Sequence, residues 1–291
     1  MLPKKFKYYS LLVSIFFLHL FSVIVCGFND VARELAKPDA NKHFANLKNV
    51  SYWAWFFTWW SAWTSLITFF WVVYRLIKKN NTSYWTQLFD LNVVILNLSS
   101  GIIFTAGWIL DMITYGKVNL LTNIPRKGGL ESLRKIPIGL LGLNAKQGWI
   151  IYNLTWHIFA PCLVIYFFWK FSATNLLKEK IKNALFTSFL NPTIYFTYIF
   201  LRPVIDYQNS YRFKTNSYDY PHDYPFSFFN RCVGKPTWKG DTYQNTWLKQ
   251  IFWIILVLGA AYLAYSLMTY YLIKWKSSAK IEKLTFKEKR V

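Results

Sequence analysis

The sequence predicts an all-α membrane protein: a single polytopic domain over residues 1–291, a bundle of six transmembrane helices with both termini cytoplasmic. Three observations predict it. The chain is 54% hydrophobic and 21% aromatic. Its apolar residues lie in blocks of about 18 to 25 residues, the length that about 30 Å of hydrocarbon requires at 1.5 Å rise per residue. Its basic residues, which give a net charge of +21, cluster at the ends of those blocks, where membrane insertion and anionic headgroups favour them.

The first block, 8–28, follows Lys4, Lys5 and Lys7. A signal peptide has the same layout, but this block is longer than an h-region and no small-x-small cleavage site follows it, so a retained helix containing His19 is expected. A polar loop with Asp30, Glu34 and Asp39 leads to the second block, 53–77, whose opening tryptophans (Trp53, Trp55, Trp59 and Trp60) fit an interfacial belt. Arg75, Lys78 and Lys79 close it. The third block, 89–113, has Asp90 at one end and Asp111 at the other, with Asn92 and Asn97 between. After a charged loop with Pro and Gly comes the fourth block, 149–169, ended by Lys170. A basic connector precedes the fifth, 184–201, which is interrupted by Asn191-Pro192 and closed by Arg202. Proline there frees a backbone carbonyl that neighbours must satisfy. The Tyr/Pro-rich loop that follows includes Tyr220 and His222 and reads as an ordered cover over the bundle. The sixth block, 251–273, runs into a basic tail, 274–291, with seven Lys or Arg.

Charge sets the orientation. The N-terminus, the second and fourth loops and the tail carry 16 Lys or Arg over roughly fifty residues, about twice the density of the other loops, which hold eight of the thirteen acids. Both termini are therefore expected in the cytoplasm, and the protein in the plasma membrane as a multi-pass chain. Because the basic residues sit at block ends rather than along a recognition face, nucleic acid is not an expected partner; membrane lipid is. Lys outnumbers Arg 26 to 8 and Gly is scarce, which fits a low-G+C bacterial genome.

Within the blocks, two polar residues stand out. An ionisable side chain at membrane depth costs roughly 2–3 kcal/mol on insertion scales and usually marks function. His157 lies eight residues into the fourth block and Thr58 five into the second, both entering from the outer face, at depths of roughly 12 and 8 Å. Asp111, Arg202 and the Tyr/Pro loop converge on the same face. A threonine hydroxyl becomes a nucleophile when a neighbouring base takes its proton, and a neutral imidazole suits that role.

At these residues the chain resembles the FAR-17a/androgen-induced-gene-like family of six-helix membrane proteins, especially its bacterial branch. The segment FFTWWSAWTSLI is similar to that family's second helix, WHIFAPCLVIYFF to its fourth, LNPTIYFTYIFLRPVI to its fifth, and YPHDYPFSFF to the loop after it. The four matches occur in family order across residues 53–229. The animal members hydrolyse esters of hydroxy fatty acids with a Thr nucleophile and a His, so the resemblance implies Thr58 and His157 as the catalytic pair. Those animal enzymes space their His and Pro one residue further apart than His157 and Pro161.

Each residue also has a structural reading. Thr58 is equally a hydroxyl bonded back to its own helix, and His157 a polar tie between helices. His19 is the rival base, at a depth that does not match Thr58. Asp111, Arg202, Tyr220 and His222 are candidate substrate-binding residues; for Arg202 the alternatives are a carboxylate or phosphate contact and an interfacial anchor. Cys26, Cys162 and Cys232 show no metal spacing, and whether Cys26 and Cys232 pair stays open. No Gly-rich phosphate loop or Cys/His ligand set calls for a cofactor. The sequence thus presents a lipid esterase and, as the alternative, a non-enzymatic membrane protein that binds lipid or a partner. Internal repeats of the kind many secondary transporters show are not found.

Overall fold

A computed structural model describes residues 3–35, 60–78, 83–113, 151, 153–198 and 247–277. All regular structure among them is helical. In chain order the helices are α1 (Lys4–Leu35), α2 (Trp60–Ile77), α3 (Tyr84–Ile113), α4 (Ala160–Phe171), α5 (Asn175–Glu179), α6 (Ile181–Ser188) and α7 (Trp247–Ser277). A π-helical turn, Thr155–Phe159, leads directly into α4, and a short helical run over 190–198 follows α6. Two helical stretches, Lys4–Ile24 of α1 and Tyr84–Ala106 of α3, are long and apolar enough to cross a membrane.

The helices extend beyond the apolar blocks because polar and basic residues at block ends continue the backbone hydrogen-bond ladder without needing lipid. α1 begins at Lys4 rather than Tyr8, and α7 runs from Trp247 to Ser277. The fifth block divides at Phe189, between α6 and the 190–198 run. Pro192 sets that position: it has no N–H for the carbonyl of Ser188, four residues back, and sits harmlessly in the first turn of the next run. Residues 53–59 of the second block, 199–201 of the fifth and the tail from 278 onward lie outside the described residues.

α1 buries one stripe, Tyr8, Leu12, Ile15, His19 and Ser22, at helical spacing of three and four. That stripe faces α2 and α4. α3 is central; Leu91 and Val93–Leu96 are buried around its circumference. The outward faces are apolar too: Phe17, Phe70, Val73, Ile102, Phe159 and Leu263 are exposed.

One end of the bundle is fixed by charge. Arg75 and Asp90 approach to 3.6 Å, each 2% exposed. Trp71 Nε1 donates to Asp90 Oδ1 at 2.8 Å, and Tyr8 OH donates to the Arg75 carbonyl at 3.2 Å. The guanidinium lies 5.6 Å from the Tyr8 ring centre and 5.1 Å from that of Phe167. The same end gathers Gln87 Nε2 on Asn175 Oδ1 at 3.1 Å and Lys276 Nζ on the carbonyl of Trp169. The start of α1, the end of α2, the start of α3 and the ends of α4 and α7 therefore meet at one end, with α1 and α2, and α2 and α3, antiparallel.

Candidate functional site

The opposite half of the bundle holds a neutral polar cluster. α2 supplies Ser61 and Ser65, one turn apart on one face. α3 supplies Asn97, Ser100, Gly101 and Phe104; α1 supplies His19; the π turn supplies Trp156 and His157.

The π turn has a local cause. Pro161 lacks the N–H that would bond the carbonyl of His157, four residues back. Ala160 N–H instead reaches the carbonyl of Thr155, five residues back, and the backbone takes in one extra residue. α3 fits closely against this turn. A Cβ on Gly101 would come within 2.8 Å of the His157 carbonyl oxygen, so no larger residue fits without moving backbone. The imidazole then stacks on Phe104, with ring centres 4.0 Å apart and planes 4° from parallel.

Each nitrogen of His157 meets a serine. Ser100 Oγ lies 3.2 Å from Nδ1, and Ser61 Oγ 3.4 Å from Nε2. Ser100 Oγ also donates to Ser61 Oγ at 3.4 Å. In the tautomer with hydrogen on Nδ1, that nitrogen faces the oxygen of Ser100, whose own proton goes to Ser61. Nε2 is then left as the acceptor, facing the Ser61 hydroxyl.

A second branch touches the first through the neighbouring residue. Trp156 Nε1 donates to Ser65 Oγ at 2.5 Å, and the same oxygen lies 2.8 Å from His19 Nδ1. Tryptophan only donates, so Ser65 accepts from it and has its own proton for His19 Nδ1. His19 Nε2 and Asn97 Oδ1 are both buried without a direct hydrogen bond, while Asn97 Nδ2 donates to Thr68 Oγ1 at 3.1 Å and to the Val93 carbonyl at 3.0 Å.

Among the described residues no group of three His, Cys, Asp or Glu is placed to hold a metal ion. Comparison with protein-family models, with curated proteins and with solved structures finds no match.

Of the residues expected at the site, His157 sits in the cluster, 8% exposed. Thr58, Arg202, Tyr220 and His222 lie outside the described residues. Asp111 is in the last turn of α3, about 16 Å along the axis from Ser100. The partner at His157 Nδ1 is a serine, not a carboxylate. Sequence reasoning ranked His19 below His157, yet both imidazoles reach the same two α2 turns. It also missed Ser61 and Ser100 as imidazole partners; the one available signal was the small-residue run Ser99-Ser100-Gly101, which permits close helix approach.

Proposed function

We propose that the chain is an integral membrane hydrolase of fatty-acid esters, in which His157 is the general base for a hydroxyl nucleophile supplied from the second span. The observation that carries this reading is the His157 imidazole with a hydroxyl at each nitrogen, in a site without a competing charge among the described residues. A histidine meant only to tie helices together needs one partner; a base needs a fixed tautomer and a hydroxyl at its free nitrogen. Thr58 is the nucleophile that the sequence resemblance implies, and Asp111, Arg202, Tyr220 and His222 are its proposed substrate contacts.

The membrane part of the proposal is six spans, both termini cytoplasmic, in a bacterial plasma membrane. The two apolar helices and the outward-facing Phe17, Phe70, Ile102 and Leu263 support it. The basic end, with Lys5, Lys78, Lys170 and Lys276, is the cytoplasmic end on the positive-inside rule, which puts the His157 cluster in the outer half. Ester hydrolysis by purified protein in lipid nanodiscs tests the reaction. Turnover of a long-chain fluorogenic ester that disappears in His157→Gln is the expected result; equal turnover in that variant would remove the proposal. Lys5→Cys in a chain whose Cys26, Cys162 and Cys232 are replaced by Ser, labelled by an impermeant maleimide only after cells are opened, checks the orientation.

The second reading, a lipid- or partner-binding protein without turnover, is favoured by how little of His157 is exposed. It predicts ester binding without hydrolysis in the same nanodiscs.

A further inference from the structure

We infer that Ser61 is the hydroxyl that His157 deprotonates, so that Ser61 rather than Thr58 attacks the ester; this rests on the hydrolase reading above. Three observations converge on Ser61.

The first is reach. Ser61 and Ser100 are the hydroxyls within hydrogen-bond distance of His157 among the described residues. Other hydroxyls nearby are committed elsewhere. Thr64 donates to the Trp60 carbonyl at 2.8 Å, Thr68 to that of Thr64 at 2.7 Å and Ser99 to that of Leu96 at 2.9 Å. Ser65 bridges Trp156 and His19.

The second is proton order. Ser100 donates to Ser61, and in the tautomer with hydrogen on Nδ1 the basic Nε2 is the nitrogen that Ser61 faces. Ser100 then takes the place of a triad carboxylate, as a positioning residue. The Ser61–Nε2 separation of 3.4 Å is at the long limit of a hydrogen bond; nucleophile–base contacts of this kind commonly tighten when substrate binds.

The third is access. Ser100 is 3% exposed, whereas Ser61 is half-buried. The hydroxyl facing the base is the one a substrate carbonyl can reach.

The step balances without a co-reactant other than water. Ser61 Oγ bonds to the carbonyl carbon as its proton passes to His157 Nε2. The bond from carbon to the alcohol oxygen then breaks, and that oxygen takes the proton and leaves. Water attacks the acyl-Ser61 carbon, giving one proton to Nε2. The carbon–Oγ bond breaks, Ser61 recovers the proton and the carboxylic acid departs.

Full-length protein in nanodiscs, treated with a long-chain fluorophosphonate and digested, tests this by locating the phosphonyl adduct by mass spectrometry. An adduct on Ser61 is expected, with labelling reduced at least about 100-fold in Ser61→Ala. The wild-type map decides the question by itself, so a variant that fails to fold does not obscure it. An adduct on Thr58 overturns the inference and leaves the hydrolase reading in place. Absence of both adduct and ester turnover in helical, monodisperse wild type overturns both.

Discussion

α2 carries two buried polar clusters, about 21 Å apart along its axis from Ser61 to Arg75, and they are built on opposite principles. At Arg75 the groups are charged and sealed: ion pair, indole N–H and two aromatic rings close over one another, and both charges are 2% exposed. At Ser61 the groups are neutral, and a chain of hydroxyls and imidazole leads outward to a half-buried serine. A buried charge is tolerated when paired and immobile, and costly when its partner is removed. A neutral imidazole between two hydroxyls can take up a proton and give it back, its transient positive charge matched by the negative oxygen that would form on a substrate carbonyl. The first cluster holds the bundle; the second is the one we propose for chemistry.

That contrast can be broken by exchanging their expected phenotypes. His157→Gln should lower ester turnover by about 10²–10⁴-fold and shift thermal unfolding little. A large loss of stability with turnover falling only in proportion to folded protein would make the outer cluster structural. Asp90→Ala should do the reverse. It leaves Arg75 buried without its partner, at a cost of about 3–5 kcal/mol, seen as a lower unfolding midpoint in detergent, while the surviving folded fraction keeps its turnover per molecule. Wild-type stability in Asp90→Ala would show that the sealed end does not hold the bundle.

Gly101→Ala sharpens the comparison from the other side. Its methyl would meet the His157 carbonyl at 2.8 Å, and overpacking of this kind costs about 1–3 kcal/mol. Turnover should fall more than stability, because the displaced atoms belong to the residue that carries the imidazole. An unchanged rate would mean the site tolerates a shift of α3.

The smallest effect is expected at Lys276, beside the charged end. Burial, and then the neighbouring Lys170, pull its ammonium down to about 8 from the ordinary 10.5. Between those values the unfolded chain binds more protons than the folded one, so stability rises with pH across that window and is flat below it. The unfolding midpoint of wild type should therefore gain on that of Lys276→Met as pH is raised from 8 to 10. Parallel curves would remove the effect.

Much of this was legible in the chain. Long apolar blocks become helices because a backbone among apolar side chains must bond to itself, and His157 stands out by the cost of placing an ionisable group among such residues. Other features depended on where helices begin and which way they turn. Depth along the first block sets His19 apart from Thr58, and α1 packs His19 beside Ser65, one turn along α2 from Ser61. Arg75 and Asp90 read as two separate block ends; the short antiparallel connection makes them one pair. Ser99 and Ser100 are identical in sequence terms, yet one bonds back to Leu96 and the other turns to His157. Serine so often satisfies itself within its own helix that no local pattern separates the two.

The π turn also gives the fourth apolar segment a built-in change of phase. One extra residue in a helix of 3.6 residues per turn rotates everything before it by about 100° relative to everything after it. Val164, Phe167 and Phe168 keep their places in the core whatever happens upstream, while the direction of the imidazole depends on that single added residue. Deleting one residue between 155 and 159 would carry the residues before the deletion round the helix, leaving the packing of α4 intact and the two serines without their imidazole. Chains with the same apolar blocks can thus differ by one residue in length and by the whole of their chemistry.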